Sequence, residues 1–138
     1  MECILSGPVQ AEEILNKKSG WNAMTGTSDF SKIATGSAVG THRLALDVFV
    51  DRIVGFIGSY YVKLEGQVDA LVFAGGIGEK SAYLRAEVVQ RCKCLGFSIN
   101  KSENEADLKN GVVEIGKTSS SKVFVCHTDE EVSGFIAA

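Results

Sequence analysis

The stretch Val68-Asp69-Ala70-Leu71-Val72-Phe73-Ala74-Gly75-Gly76-Ile77-Gly78-Glu79-Lys80-Ser81 runs from an apolar segment into glycines and then into a charged turn. Ala70 to Ala74 is nearly unbroken in its hydrophobicity, which predicts a central strand buried on both faces. The glycines remove Cβ atoms and open positive φ angles, and a helix predicted to follow would present free N–H groups. Strand, glycine turn and helix in this order are how α/β proteins bring bare backbone to a nucleotide. A tight connection that binds nothing has the same appearance, and the residues of the turn alone leave both readings open.

Two familiar phosphate motifs do not fit. Gly76-Ile77-Gly78-Glu79-Lys80-Ser81 has serine at the third glycine position of the dinucleotide fingerprint, and no βαβ unit with a ribose-binding acid follows. In a phosphate loop glycine directly precedes lysine, whereas here Glu79 separates Gly78 from Lys80-Ser81.

Upstream, Pro8, then Val9, Ile14 and Leu15, then Lys17, Lys18 and Gly20 give a short helix with start and stop signals in order. Trp21 to Gly26 reads as a loop. Ser28-Asp29 can cap a second short helix, Phe30 to Ala34. From Thr41 to Leu64 the residues Leu46, Phe49, Val50, Ile53, Ile57, Tyr60, Tyr61 and Leu64 recur at three- and four-residue steps, giving a long helix with one apolar face closed by Gly66.

Downstream, Leu84, Val88, Cys92 and Leu95 mark a helix that stops at Gly96. Phe97 and Ile99 alternate as a short strand, and Asn100 to Gly111 is a polar surface excursion. Val112 to Ile115 and Val123 to Cys126 form a hairpin around Gly116 to Lys122. Thr128 opens a last helix, with Glu131 as capping-box partner and Val132, Phe135 and Ile136 as its apolar side. The arrangement is α/β with a mixed sheet flanked by helices. Residues 1–138 read as one domain, with 1–7 a poorly defined N-terminal segment.

The 138 residues are 45% hydrophobic, enough for one core, and the net charge of −3 gives no general attraction to nucleic acid. The segment Leu44 to Leu64 carries Asp47, Asp51, Arg52 and Lys63, which argues against a membrane span. Cys3, Cys92, Cys94 and Cys126 have no framework spacing, so free thiols in a reducing cytoplasm are expected. Arg43, Arg52, Arg85 and Arg91 are expected to face solvent or partners, and His127 to be an ordinary packed or surface ring.

Five segments together resemble acetate kinase. They are Leu15-Asn16-Lys17-Lys18-Ser19-Gly20, Gly26-x-Ser28-Asp29-Phe30, Ala45-Leu46-Asp47-x-Phe49-Val50-x-Arg52-Ile53, Val68 to Phe73 with Gly76-Ile77-Gly78-Glu79, and Thr128-Asp129-Glu130-Glu131. They stand in the family's order and at similar spacings, over about residues 10 to 137 and only in the C-terminal part of that family.

The resemblance implies the C-terminal domain of the actin-like ATPase (ribonuclease H-like) fold, in incomplete form. It implies a kinase that moves the γ-phosphoryl of ATP reversibly to acetate, giving acetyl phosphate and ADP, with Mg2+ as cofactor. By the same resemblance, Gly76, Ile77, Gly78, Glu79 and Lys80 contact the adenosine, while Asp29, Phe30 and Ser31 lie against adenine and ribose. Glu130 becomes a magnesium-site residue, whereas Asp129 and Glu131 are accounted for as helix-capping acids. The family has Asn where Lys80 stands and Arg where Ser31 stands, so an amide and a stacking guanidinium are both replaced.

The groups that stabilise the transferring phosphoryl and hold the carboxylate acceptor lie N-terminal to the matched part in that family. No catalytic residue is therefore assigned, and this chain alone is expected not to turn over acetate. A homodimer formed through the C-terminal domain, a non-catalytic interaction module, and a propionate or butyrate kinase are the remaining expectations.

Overall fold

The computed structural model describes residues 8–107 and 111–128, with side chains described from residue 11 onward. The chain divides into two compact units, one ending at Phe49 and the other beginning at Val50. The first contains α1 (Pro8–Lys17), α2 (Gly20–Thr25), α3 (Phe30–Ile33) and the start of α4 (Gly40–Lys63). Trp21, Phe30 and Phe49 meet there with ring centroids 5.0 to 5.5 Å apart, and Ile33, Ala45 and Leu46 are buried.

The expected loop from Trp21 to Gly26 is instead α2. Gly20 at φ 57° turns the chain straight from one helix into the next, so it is a hinge and not only a stop. The indole's place against Phe30 and Phe49 fixes a segment whose own sequence has no helical periodicity. Gly26, at φ 73°, closes α2 by donating its N–H to Asn22 O.

The second unit holds the remainder of α4, β1 (Ala70–Ala74), α5 (Gly75–Lys80), α6 (Ala82–Arg91), a single 3-10 turn (Lys93–Leu95), α7 (Lys101–Glu105), β2 (Val112–Glu114) and β3 (Lys122–Cys126). Glu65 and Gly66, both left-handed, end α4 beyond Lys63. Tyr60 and Leu64, expected on its apolar face, are 59% and 54% exposed.

The sheet order is β1-β3-β2, with β1 parallel and β2 antiparallel to β3. The hairpin therefore forms as expected, but the central strand among the described residues is β3. Its Val123 and Val125 are fully buried, while β1 lies at the edge with Val72 53% exposed. A five-residue apolar run encodes an aptitude for burial. Which strand pairs beside it is decided elsewhere in the chain, and here only Phe73 of that run is buried.

Phe97 and Ile99 make single bridges to Ser121 and Gly116 and do not form a strand. The polar excursion after Asn100 contains α7, capped by the Asn100 side chain, and it buries Asn104.

Candidate functional site

The junction of β1 and α5 is built from three glycines with different physical standing. Gly75 has φ 72°, a conformation that disfavours any side chain, so the turn itself requires glycine there. Gly78 would place an added Cβ in ordinary contact with Phe73, 3.6 Å from its backbone carbon. Gly76 has neither constraint. It lies in the helix, outside the left-handed region, and an added Cβ would meet nothing within 4 Å.

The glycine turn is thus itself helical, and helical glycine costs up to about 1 kcal/mol relative to alanine. Packing within the unit gives no return for that cost at Gly76. A bare backbone facing open space is what a closely approaching ligand requires.

Glu79 closes the same turn from inside. Its Oε1 accepts from the N–H of Gly75 at 2.9 Å, the N–H of Thr128 at 3.0 Å and the hydroxyl of Thr128 at 2.9 Å. Its Oε2 lies 3.0 Å from His127 Nδ1, and the side chain is only 10% exposed. Hydrogen bonds from Thr128, then from Gly75, and the nearby imidazole hold this carboxyl below its usual range despite an opposing effect of desolvation. The backbone N–H of His127 donates to Gly111 O at 2.9 Å, and its ring Nε2 is buried with no hydrogen-bond partner among the described residues. Sequence reasoning missed this cluster, since nothing in the separate motifs joins residue 79 to residues 127 and 128.

The other end of α5 is held by Arg85, which corrects its expected place in solvent. This guanidinium is 1% exposed, and burial lowers its affinity for its proton without discharging it. It donates to Gly78 O at 2.8 Å, Glu79 O at 2.6 Å, and Asn104 Oδ1 and O at 2.7 Å each. Asn104 returns a bond from Nδ2 to Ala82 O at 2.9 Å. A signal was present in the sequence: Arg85 lies three and four residues before Val88 and Val89, on the buried stripe of α6.

In the first unit, Asp29 caps α3, accepting from Ser31 N–H at 3.0 Å and Ser31 Oγ at 2.7 Å, with Lys32 3.8 Å away. These Ser31 bonds lower the Asp29 carboxyl below its ordinary value. Phe30 is half-buried in the aromatic cluster, while Asp29 and Ser31 are exposed. Lys80 is exposed at the end of α5. Ser81, directly after it, accepts from Leu84 N–H at 3.2 Å and caps α6.

Glu130 and the expected last helix lie outside the described residues. Among those described, no three His, Cys, Asp or Glu side chains come together as a metal site. Cys92, Cys94 and Cys126 are free thiols, and burial, with Cys94 nearby, raises the Cys92 thiol. A cleft of about 680 Å³ is lined by Tyr83, Val89, Gln90, Lys93, Ile99 and Lys101 among others, and by none of Gly75 to Ser81.

The sequence profile of the Acetokinase family matches residues 6–137. A protein of Emericella nidulans named "Probable acetate kinase" is 54% identical over 127 residues, covering 88% of this chain and 30% of that protein. The acetate kinase of Campylobacter lari is 40% identical, with 91% of this chain and 32% of that protein aligned. Among solved structures, acetate kinase from Entamoeba histolytica superposes with a TM-score of 0.81 at 28% identity, over 97% of this chain and 37% of its own. A propionate kinase from Francisella tularensis gives 0.78 at 28% identity, over 94% and 33%. The chain therefore spans about a third of the length of the proteins it matches.

Proposed function

This chain belongs to the acetokinase family, and we propose that it is the nucleotide-side, C-terminal portion of an acetate kinase whose backbone around Gly76 receives the adenosine of ATP or ADP. Its α/β fold with a small mixed sheet is that of acetate and propionate kinases, of the actin-like ATPase class. The observation that carries the nucleotide reading is Gly76, a helical glycine that, like Gly55 and Gly58 of α4, neither backbone conformation nor packing requires, and that alone of these three stands at a strand-to-helix turn.

In this reading the main chain of Gly76, Ile77 and Gly78 lies against the nucleoside, and Lys80 supplies a cation at the rim in place of an amide. Glu79 belongs to the same loop, with its carboxylate turned toward Gly75 and Thr128. Asp29, Phe30 and Ser31 offer an exposed capped turn and an aromatic edge for adenine and ribose. Magnesium takes oxygen ligands and binds through one or two carboxylates with phosphate oxygens, the chemistry that Glu130 offers. An ion held by Glu130 would supply charge neutralisation at the phosphate oxygens. The acetate pocket and the charge-stabilising groups come from the remainder of a full-length kinase, in the cytoplasm. Propionate stays open as acceptor because a propionate kinase is nearly as similar in structure, with a TM-score of 0.78 against 0.81.

A second reading, self-association, is supported by α4, where Phe56, Tyr60 and Val62 are 62%, 59% and 75% exposed. Light scattering coupled to size exclusion tests it. For the nucleotide, calorimetric titration with ADP is compared between the wild type and Gly76→Ala. The substitution should leave stability unchanged or raise it by up to about 1 kcal/mol, while weakening ADP several-fold. Unchanged ADP affinity in the variant would sink the reading of this loop.

A further inference from the structure

We infer that Glu79 is a positioning residue: its carboxylate locks the end of β3 at His127 and Thr128 onto the first residue of α5, and it acts on the nucleotide only through that lock. The inference rests on the nucleotide reading for its functional part and on geometry alone for the lock.

The geometry is specific. One oxygen, Oε1, gathers two backbone N–H groups and a hydroxyl from residues 49 positions apart or four positions apart, all within 3.0 Å. The other oxygen takes the His127 ring at 3.0 Å. A carboxylate with both oxygens so engaged and a side chain 10% exposed has little capacity left for a ribose hydroxyl. The direct adenosine contact that family resemblance suggests for residue 79 therefore passes to its neighbours' main chain.

The lock also explains why this position is acidic. Only a carboxylate accepts at both ends with no hydrogen to place. Glutamine can keep its oxygen on Thr128 and Gly75 only with its NH2 against His127 Nδ1, which must then carry no proton, so alanine, with no acceptor at either end, is the cleaner removal of the lock. Gly75, held at φ 72°, owes the direction of its N–H to the left-handed turn, so the turn and the lock depend on each other. With Arg85 holding the carbonyls of Gly78 and Glu79 at the other end, a six-residue helix too short to persist alone is fixed at both termini.

Amide hydrogen exchange and ADP titration on the 138-residue chain, with Glu79→Ala, Thr128→Val, Thr128→Ser and the double variant Glu79→Ala/Thr128→Val, test this. Exchange at Gly75 and Thr128 should quicken roughly tenfold or more in Glu79→Ala, while amides of α6 and β3 keep wild-type protection and so show that the unit is folded. Thr128→Val, which removes only the hydroxyl arm, should weaken ADP in the same direction as Glu79→Ala. Thr128→Ser should keep wild-type affinity, and the double variant should be no worse than Glu79→Ala alone.

Wild-type exchange at both amides in Glu79→Ala overturns the lock. ADP losses that add in the double variant, or a loss confined to Glu79→Ala, overturn the indirect action and make residue 79 a direct contact. If the wild-type chain binds no ADP, the nucleotide reading fails, and exchange still decides the lock.

Discussion

Arg85 and Glu79 are the two charged residues whose surroundings differ most from what their types suggest. Replacing Arg85 by methionine would leave the carbonyls of Gly78, Glu79 and Asn104 and the Asn104 amide oxygen without their donor in a closed environment. A loss of about 3 kcal/mol or more in urea unfolding is expected. Arg85→Lys should recover little of it, because an ammonium cannot reach four acceptors arranged for a planar fork. Glu79 makes stability depend on acid. Its folded-state carboxyl titrates below the usual value of 4.5, so its contribution is complete above that pH and is lost as pH falls through the lower folded value. The urea midpoint of the wild type should fall as pH drops below about 4.5, and Glu79→Gln should shrink that fall. Asp29, lowered by Ser31, retains its own share in the variant.

Among the elements, the two parallel strands invert the expectation from hydrophobicity. Ala70 to Ala74 is as apolar as Val123 to Cys126, yet among the described residues the second sits between two neighbours and the first at an edge. Val125→Ala should therefore cost about 2 kcal/mol in chemical unfolding, while Val72→Thr, at a half-exposed position, should stay within about 0.5 kcal/mol of wild type. Equal costs would show that Val72 is covered in solution. Helix α4 illustrates a different limit of pattern reading. Its ends and its buried Ala45, Leu46 and Val50 follow from spacing, but the same spacing puts Tyr60 on the apolar face, where it lies largely in solvent. Periodicity finds a helix reliably because backbone geometry imposes it, whereas the extent of cover depends on neighbours that the helix does not encode.

At the scale of the whole molecule, the chain spans 29% to 37% of the acetate kinases it matches. Phosphoryl transfer needs groups on both sides of the nucleotide, and in the function proposed above this chain supplies one side. The expected outcome of mixing this chain with Mg-ATP and acetate is no acetyl phosphate at ordinary kinase rates, measured by hydroxamate trapping. Production at such rates would mean that the acceptor pocket and the charge-stabilising groups are present here after all. No helix among the described residues is long and apolar enough to cross a membrane.

The sequence by itself determined the family, the α/β class, most helix limits and the β2–β3 hairpin. Those rest on local rules: capping at Asp29, left-handed glycines at Gly66 and Gly96, and two apolar runs on either side of the turn from Gly116 to Lys122. Tertiary structure alone decided that β3 is central, that Trp21 to Thr25 is helical, that Arg85 and Asn104 are buried together, and that Glu79 reaches Thr128. Each of these joins residues whose meeting is set by the summed packing of the unit, and a short run of sequence holds one partner of such a contact without naming the other.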